Sequence, residues 1–125
     1  MHRPHILLVD DDPLLLELVS RNLRNDQYDV TTATDGAEGL QAAGRLRPDL
    51  VLVDSTMPGY DAVEFIKQVR ELHTYRVPVI SMTVFNGSGG GEEALDAGAD
   101  DYVAKPFNHA LLIDRIRHVL DGCPT

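Results

Sequence analysis

Five side chains in this sequence have the types needed to work on one charged group. They are Asp10 and Asp11 in HILLVDDDPLLL, Asp54 in LVLVDSTMPG, Thr83 in VISMT and Lys105 in DYVAKPF. Two carboxylates about 4 Å apart repel by about 4 kcal/mol at an effective dielectric near 20, so acids gathered at one place call for a cation. A hard divalent ion that prefers oxygen ligands, Mg²⁺ above all, would cancel the repulsion. If metal were the only guest, Lys105 would be redundant. A lysine, a hydroxyl and a metal facing one carboxylate are the parts needed to stabilise a phosphoryl group on that carboxylate.

Taken singly, each residue has an ordinary reading. Asp10–Asp12 can be a loop ending in a helix cap, Asp54 a turn residue and Thr83 a strand-end hydroxyl. Lys105 can be a solvated lysine and Tyr102 a half-buried aromatic. The signal lies in all of them falling at the ends of alternate elements.

Those elements follow from the hydrophobic pattern. Strand-like runs at HILLV (5–9), YDVTTA (28–33), LVLV (50–53), VPVISM (77–82) and DYVA (101–104) alternate with helical periods. Asp12 followed by Pro13 is an N-cap with proline at the first helical position. In the helix it opens, Leu15, Leu16, Val19 and Leu23 share a face, with Leu14 and Leu18 outside it or at its rim. A second helix over about 36–46 is expected to bury Ala37, Leu40 and Ala43. A third over about 61–72 carries Phe65, Ile66, Val69 and Leu72, and a last one over about 108–120 carries Leu112, Ile113, Ile116, Val119 and Leu120. The strands are too uniformly apolar for a one-sided sheet, so helices must cover both faces of a parallel one. The fold class is α/β, a doubly wound (βα)5 domain with a five-stranded parallel sheet. Ligands in such folds bind outside the carboxyl ends of the strands, where the acids, Thr83 and Lys105 fall.

The 125 residues suit one domain over 1–120, with 121–125 as a tail or the start of a linker. A net charge of −9 disfavours nucleic acid or anionic lipid as a direct partner. No apolar run is long enough to span a membrane and no signal-peptide pattern opens the chain, so the cytoplasm is the expected compartment. The single cysteine, Cys123, rules out an internal disulfide or a thiolate metal site.

With VDDDP, VDSTMPG, PVISMT, GADDYVAKPF and LIDRIRHVL in view, the chain resembles the receiver domain of a two-component response regulator over residues 4 to about 120. The resemblance implies the flavodoxin-like order 2-1-3-4-5 for the sheet. It also implies a phosphorylation-controlled switch rather than a conventional enzyme, one that catalyses only its own phosphorylation and slow dephosphorylation. Asp54 would accept the phosphoryl group from a sensor histidine kinase or a histidine phosphotransfer protein. Mg²⁺ would be held by Asp11, by Asp10 directly or through water, by Asp54 and by the backbone carbonyl of Thr56. Lys105 would pair with the phosphoryl oxygens ahead of a cis Lys105–Pro106 bond. Thr83 would move toward the phosphoryl group and Tyr102 would rotate inward behind it. Leu14 and Leu18 would meet a helical phosphodonor, and a homodimer is a further partner that the resemblance allows.

Several positions depart from the family's habit. Ala62 stands where glycine is usual, which matters only if that residue needs a positive φ. Val84 and Phe85 are bulkier than residues that position an attacking water, so hydrolysis of the acyl phosphate should be slow. The run Gly87–Gly91 falls where a helix should start, and each interior glycine costs roughly 0.8–1 kcal/mol. A short helix of about Glu92–Ala97 is therefore expected, preceded by a loose turn. Gly91, Ala97 and Leu111 also lack the charges through which regulators with winged-helix outputs pair on that face.

Competing classes fit less well. A haloacid dehalogenase-type phosphatase wants a second acid two residues after its nucleophile, where this chain has Thr56. A flavodoxin-like cofactor binder would set three acids against its phosphate. A pseudo-receiver, binding partners without phosphorylation, should have lost Asp54, Lys105 or the acid pair, and all are present.

Overall fold

The computed structural model describes residues 3–57, 59–84, 95 and 97–121. Five strands, β1 (His5–Val9), β2 (Asp29–Ala33), β3 (Leu50–Asp54), β4 (Val79–Val84) and β5 (Asp101–Lys105), form one sheet in the order β2-β1-β3-β4-β5. Every neighbouring pair is parallel. Four helices are described: α1 (Pro13–Asn25), α2 (Gly36–Leu46), α3 (Ala62–Glu71) and α4 (His109–Leu120). The expected class, topology and order are those observed.

Alternation along the strands explains why both faces are covered. In β1, Leu7 and Val9 pack with Val51, Val53, Ala43, Phe65, Ile66 and Val69, under α2 and α3. Ile6 and Leu8 point the other way, into Leu16, Val19, Leu23, Leu112, Ile113 and Ile116, under α1 and α4. A strand buried on both faces must be apolar along its length, and the central strand LVLVD is apolar from Leu50 to Val53, up to the Asp54 that ends it at the site.

Each helix starts on a side-chain cap. Asp12 accepts hydrogen bonds from the amides of Leu14 at 3.0 Å and Leu15 at 3.4 Å, with Pro13 opening α1. Asp35 accepts from Glu38 N at 2.8 Å, and Glu38 Oε1 accepts in turn from Thr34 N. Asp61 caps α3 through Glu64 N, and Asn108 caps α4 through Leu111 N. These caps hold the helix entries beside the strand ends from which the site is built.

The structure corrects some local expectations. Ala37 is exposed, and the face of α2 that meets the sheet is Gly39, Ala42 and Ala43, with Leu40 partly buried. A Cβ on Gly39 would sit 3.0 Å from a Val9 methyl carbon, so the glycine is what lets α2 approach β1. The fourth strand starts at Val79 rather than Val77, since Pro78 has no amide to give a ladder, and it runs through Val84. Leu72 follows α3 as its C-cap and is largely exposed. Ala62 is the first residue of α3, and the positive φ of this loop falls on Gly59 instead, so glycine's usual place at 62 is filled without strain. The expectations for Phe85, the Gly87–Gly91 run, the helix at Glu92–Ala97 and the tail with Cys123 fall on residues 85–94, 96 and 122–125, outside the described residues, as does the side chain of Val84.

The entry to β5 is tied down by a charged clamp. Asp100 Oδ2 accepts from Arg70 Nη2 and from Val79 N, each at 2.8 Å, while Oδ1 pairs with Arg76. Arg70 also donates to Gly98 O at 2.6 Å. Burial pulls the Arg70 pKa below its ordinary value against the opposing charge of Asp100. This clamp joins the end of α3 to the strand that carries Lys105.

Candidate phosphoryl and metal site

The carboxyl ends of β1, β3, β4 and β5 bring the expected residues to one edge. Asp10 follows β1 and is fully buried, and its amide donates to Ala33 O at the end of β2. Asp54 closes β3 and is 2% exposed. Asp11 is exposed beside them. One carboxylate oxygen from each of Asp10, Asp11 and Asp54 can be chosen so that all lie within 4.8 Å of one another.

Lys105, the last residue of β5, reaches across to the acids. Its Nζ donates to Asp10 Oδ2 at 2.7 Å and lies 3.4 Å from Asp54 Oδ2. Asp10 Oδ1 accepts from the amide of Asp12 at 2.9 Å, which joins the site to the cap of α1. Thr83 is buried in β4, paired in register with Ala104, the residue before Lys105. Tyr102 on β5 is 38% exposed, and its amide donates to Asp101 Oδ1. The Lys105–Pro106 peptide is cis.

Electrostatics shows a site under tension. Burial pushes the Asp10 pKa above the ordinary value of 3.8, and the charge of Asp54 adds to this, while the Lys105 ammonium and the Asp12 amide pull it down. For Lys105, burial lowers the pKa, but the hydrogen bond to Asp10 and the charges of Asp10 and Asp54 outweigh it and hold the group above 10.5. Both shifts are upward, so both make the fold less stable as pH rises, each in its own window. Lys105 contributes stability that is complete below its unfolded pKa and is lost as pH rises through the raised folded value. Asp10 is a liability that grows as pH rises past 3.8 and is complete above its raised folded pKa. The fold thus carries a buried acid whose charged form a cation would relieve.

A divalent oxygen-loving cation fits this donor set. The donors are all carboxylate oxygens, two of the three groups are buried, and one is held above its ordinary pKa by desolvation. These are features a hard cation satisfies better than a single ammonium can.

The sequence reading missed one contact at the centre of the site. Thr56 was assigned only its backbone carbonyl, yet its amide and its hydroxyl both donate to Asp54 Oδ1, at 2.9 and 2.7 Å. A hydroxyl two residues beyond an acid was the available signal, since Asp side chains often close such turns. On the rim, Leu14 and Leu18 are 72% and 54% exposed. They line an apolar groove of about 520 Å³ with Leu15, Val19, Pro106 and Phe107. The sequence pointed to the two leucines but not to the Pro106–Phe107 wall.

Comparison with known proteins agrees with this geometry. The sequence profile of the response regulator receiver domain matches residues 6–117. The chain is 42% identical over 116 residues to the transcriptional regulatory protein CseB of Streptomyces avermitilis, covering 93% of this chain and 48% of that protein. It is 38% identical over 115 residues to the DNA-binding response regulator MtrA of Mycolicibacterium smegmatis, covering 92% of this chain and 50% of that one. It thus spans about half the length of these curated relatives. Among solved structures, a putative response regulator from Chloroflexus aurantiacus J-10-fl superposes with a TM-score of 0.86 at 32% identity, covering 96% of this chain and 99% of that one. The receiver domain of the sensor histidine kinase PA1611 from Pseudomonas aeruginosa PAO1 gives a TM-score of 0.85 at 33% identity, covering 97% and 100%, and was solved with a magnesium ion coordinated in its active-site cleft.

Proposed function

Because the chain belongs to the response regulator receiver family and is thereby a phosphorylation-controlled signalling switch, we propose that Asp54 is its phosphoacceptor and that Mg²⁺ assists the transfer. The observation that carries this reading is the approach of three carboxylates to within 4.8 Å with Lys105 between Asp10 and Asp54. Asp10, Asp11, Asp54 and the carbonyl of Thr56 are the groups that would hold the ion. Bound there, Mg²⁺ supplies positive charge against the oxygens of the incoming phosphoryl group. Asp54 supplies the nucleophilic oxygen, desolvated and oriented by its neighbours. Lys105 offers an ammonium to the phosphoryl oxygens, and its departure from Asp10 and Asp54 is the first event that the rest of β5 could sense. Thr83 and Tyr102, on the adjacent strands β4 and β5, then move as the switch. The test is labelling by acetyl phosphate: label is expected with Mg²⁺ and absent in excess EDTA, and full labelling in EDTA would count against the cation.

Receiver domains of response regulators interact with histidine kinases, and the donor here would be a sensor histidine kinase or a histidine phosphotransfer protein. Its docking surface would be the groove of Leu14, Leu18 and Phe107, which adjoins Lys105. Leu14→Glu should slow transfer from the cognate donor at least tenfold, roughly the loss of one apolar anchor, with acetyl phosphate labelling unchanged. Equal loss with both donors would mean that the substitution acts on the fold or the site rather than on docking.

The remaining assignments follow the same reading. Residues 1–120 form the receiver and 121–125 a tail or the start of a linker. The domain acts in the cytoplasm, does not contact nucleic acid or membrane directly, and catalyses only its own phosphorylation and slow dephosphorylation. Homodimerisation on phosphorylation is the remaining partner assignment. Among the described residues no helix is long and apolar enough to cross a membrane. A phosphorylation-independent binding module gains no support from a site with its acids, Thr83 and Lys105 all in place.

A further inference from the structure

The carboxylate of Asp54 is held asymmetrically. Oδ1 receives two donors from Thr56, the amide at 2.9 Å and the hydroxyl at 2.7 Å. Among the described residues Oδ2 receives none at comparable distance, and it faces the Lys105 ammonium at 3.4 Å. Any residue but proline at position 56 would bring the amide. The hydroxyl belongs to the threonine, and a donor to an ionised oxygen makes one of the stronger hydrogen bonds available to a side chain. Asp54 itself is 2% exposed, so water has little access with which to replace that donor. Thr56, by contrast, is exposed, so its side chain fills no core volume, and among the described residues its hydroxyl bonds to Asp54.

We propose that Thr56 is a positioning residue for phosphoryl capture: its hydroxyl fixes the rotation of the Asp54 carboxylate, engaging Oδ1 and presenting Oδ2 as the attacking oxygen. The inference rests on Asp54 being the acceptor. In the step it assists, an Oδ2–P bond forms while the bond from phosphorus to the donor's leaving group breaks. With acetyl phosphate the electron pair of that bond departs with acetate, and no proton need move. A carboxylate free to turn about Cβ–Cγ would spend part of its time with neither oxygen in line. One hydroxyl therefore acts on rate without touching the phosphoryl group.

Two substitutions separate this role from a role of shape. Thr56→Val keeps the branched outline and removes the hydroxyl, whereas Thr56→Ser keeps the hydroxyl and removes a methyl. With acetyl phosphate at saturating Mg²⁺, Thr56→Val should label about tenfold more slowly, as befits one hydrogen bond to a charged group. Thr56→Ser should label at close to the wild-type rate, and the Mg²⁺ concentration giving half-maximal rate should be the same in all three. Wild-type labelling by Thr56→Val would overturn the proposal, as would a Ser variant as slow as the Val variant. A lower half-maximal Mg²⁺ concentration in Thr56→Val would also overturn it, because the hydroxyl would then be a competitor of the cation. Wild-type protein labelled at a residue other than Asp54 would instead defeat the underlying assignment, whatever the variants do.

Discussion

Asp54→Ala is expected to abolish labelling by acetyl phosphate and Mg²⁺, a loss of the whole reaction rather than a fraction of it. The reason lies in what else the site offers. Asp10 is fully buried and committed on both oxygens, to Lys105 at 2.7 Å and to the Asp12 amide at 2.9 Å. Asp11 is exposed and has no ammonium beside it among the described contacts. Asp54 alone combines burial, an oxygen turned toward Lys105 and a second oxygen anchored by Thr56. Covalent capture needs a nucleophile whose water has been replaced by fixed donors. Labelling followed by intact mass should show one added phosphoryl group on the wild type and none on the variant. Undiminished labelling of Asp54→Ala would move the acceptor to another carboxylate.

Lys105→Ala should separate binding from response. In the wild type the ammonium shares the acid pocket with any cation, lying 2.7 Å from Asp10 and 3.4 Å from Asp54. Like charges in one pocket compete, at about 4 kcal/mol for a separation near 4 Å and an effective dielectric of 20 before screening. Removing the ammonium should therefore leave Mg²⁺ affinity intact or raise it. The response should fail, because no group on β5 then follows the phosphoryl oxygens. Amide resonances recorded with beryllofluoride and Mg²⁺ give the readout. Wild-type protein should show shifts at Thr83 and Tyr102, while Lys105→Ala should bind Mg²⁺ and leave both unmoved. Wild-type shifts in the variant would remove Lys105 from the switch.

Much of this site was legible in the sequence because it depends on strand ends. A parallel sheet brings the residue after each apolar run to the same edge, so Asp10, Asp54, Thr83 and Lys105 could be placed together although Lys105 lies 95 residues from Asp10. The topology rested on equally strong signals, namely two-sided apolar strands and capped amphipathic helices. What could not be read turns on contacts of a few tenths of an ångström. The hydroxyl two residues beyond Asp54 hinted at a contact, but spacing alone does not decide whether it turns to Asp54 or to solvent. The inner face of α2 was misjudged for a related reason: alanine and glycine carry little hydrophobic signal, and Gly39 rather than Ala37 meets Val9. Pro106 and Phe107 reach the Leu14–Leu18 groove through a loop, where no periodicity exists to be read.

The most direct measurement locates the phosphoryl group in unmodified protein. After labelling with acetyl phosphate and Mg²⁺, borohydride reduces an aspartyl phosphate to homoserine, which peptide mass spectrometry finds by its mass and position. The expected result is homoserine at position 54 alone, absent when Mg²⁺ is withheld. Homoserine at position 10 or 11, or label that survives borohydride with no homoserine formed, would contradict the assignment of Asp54 as the acceptor.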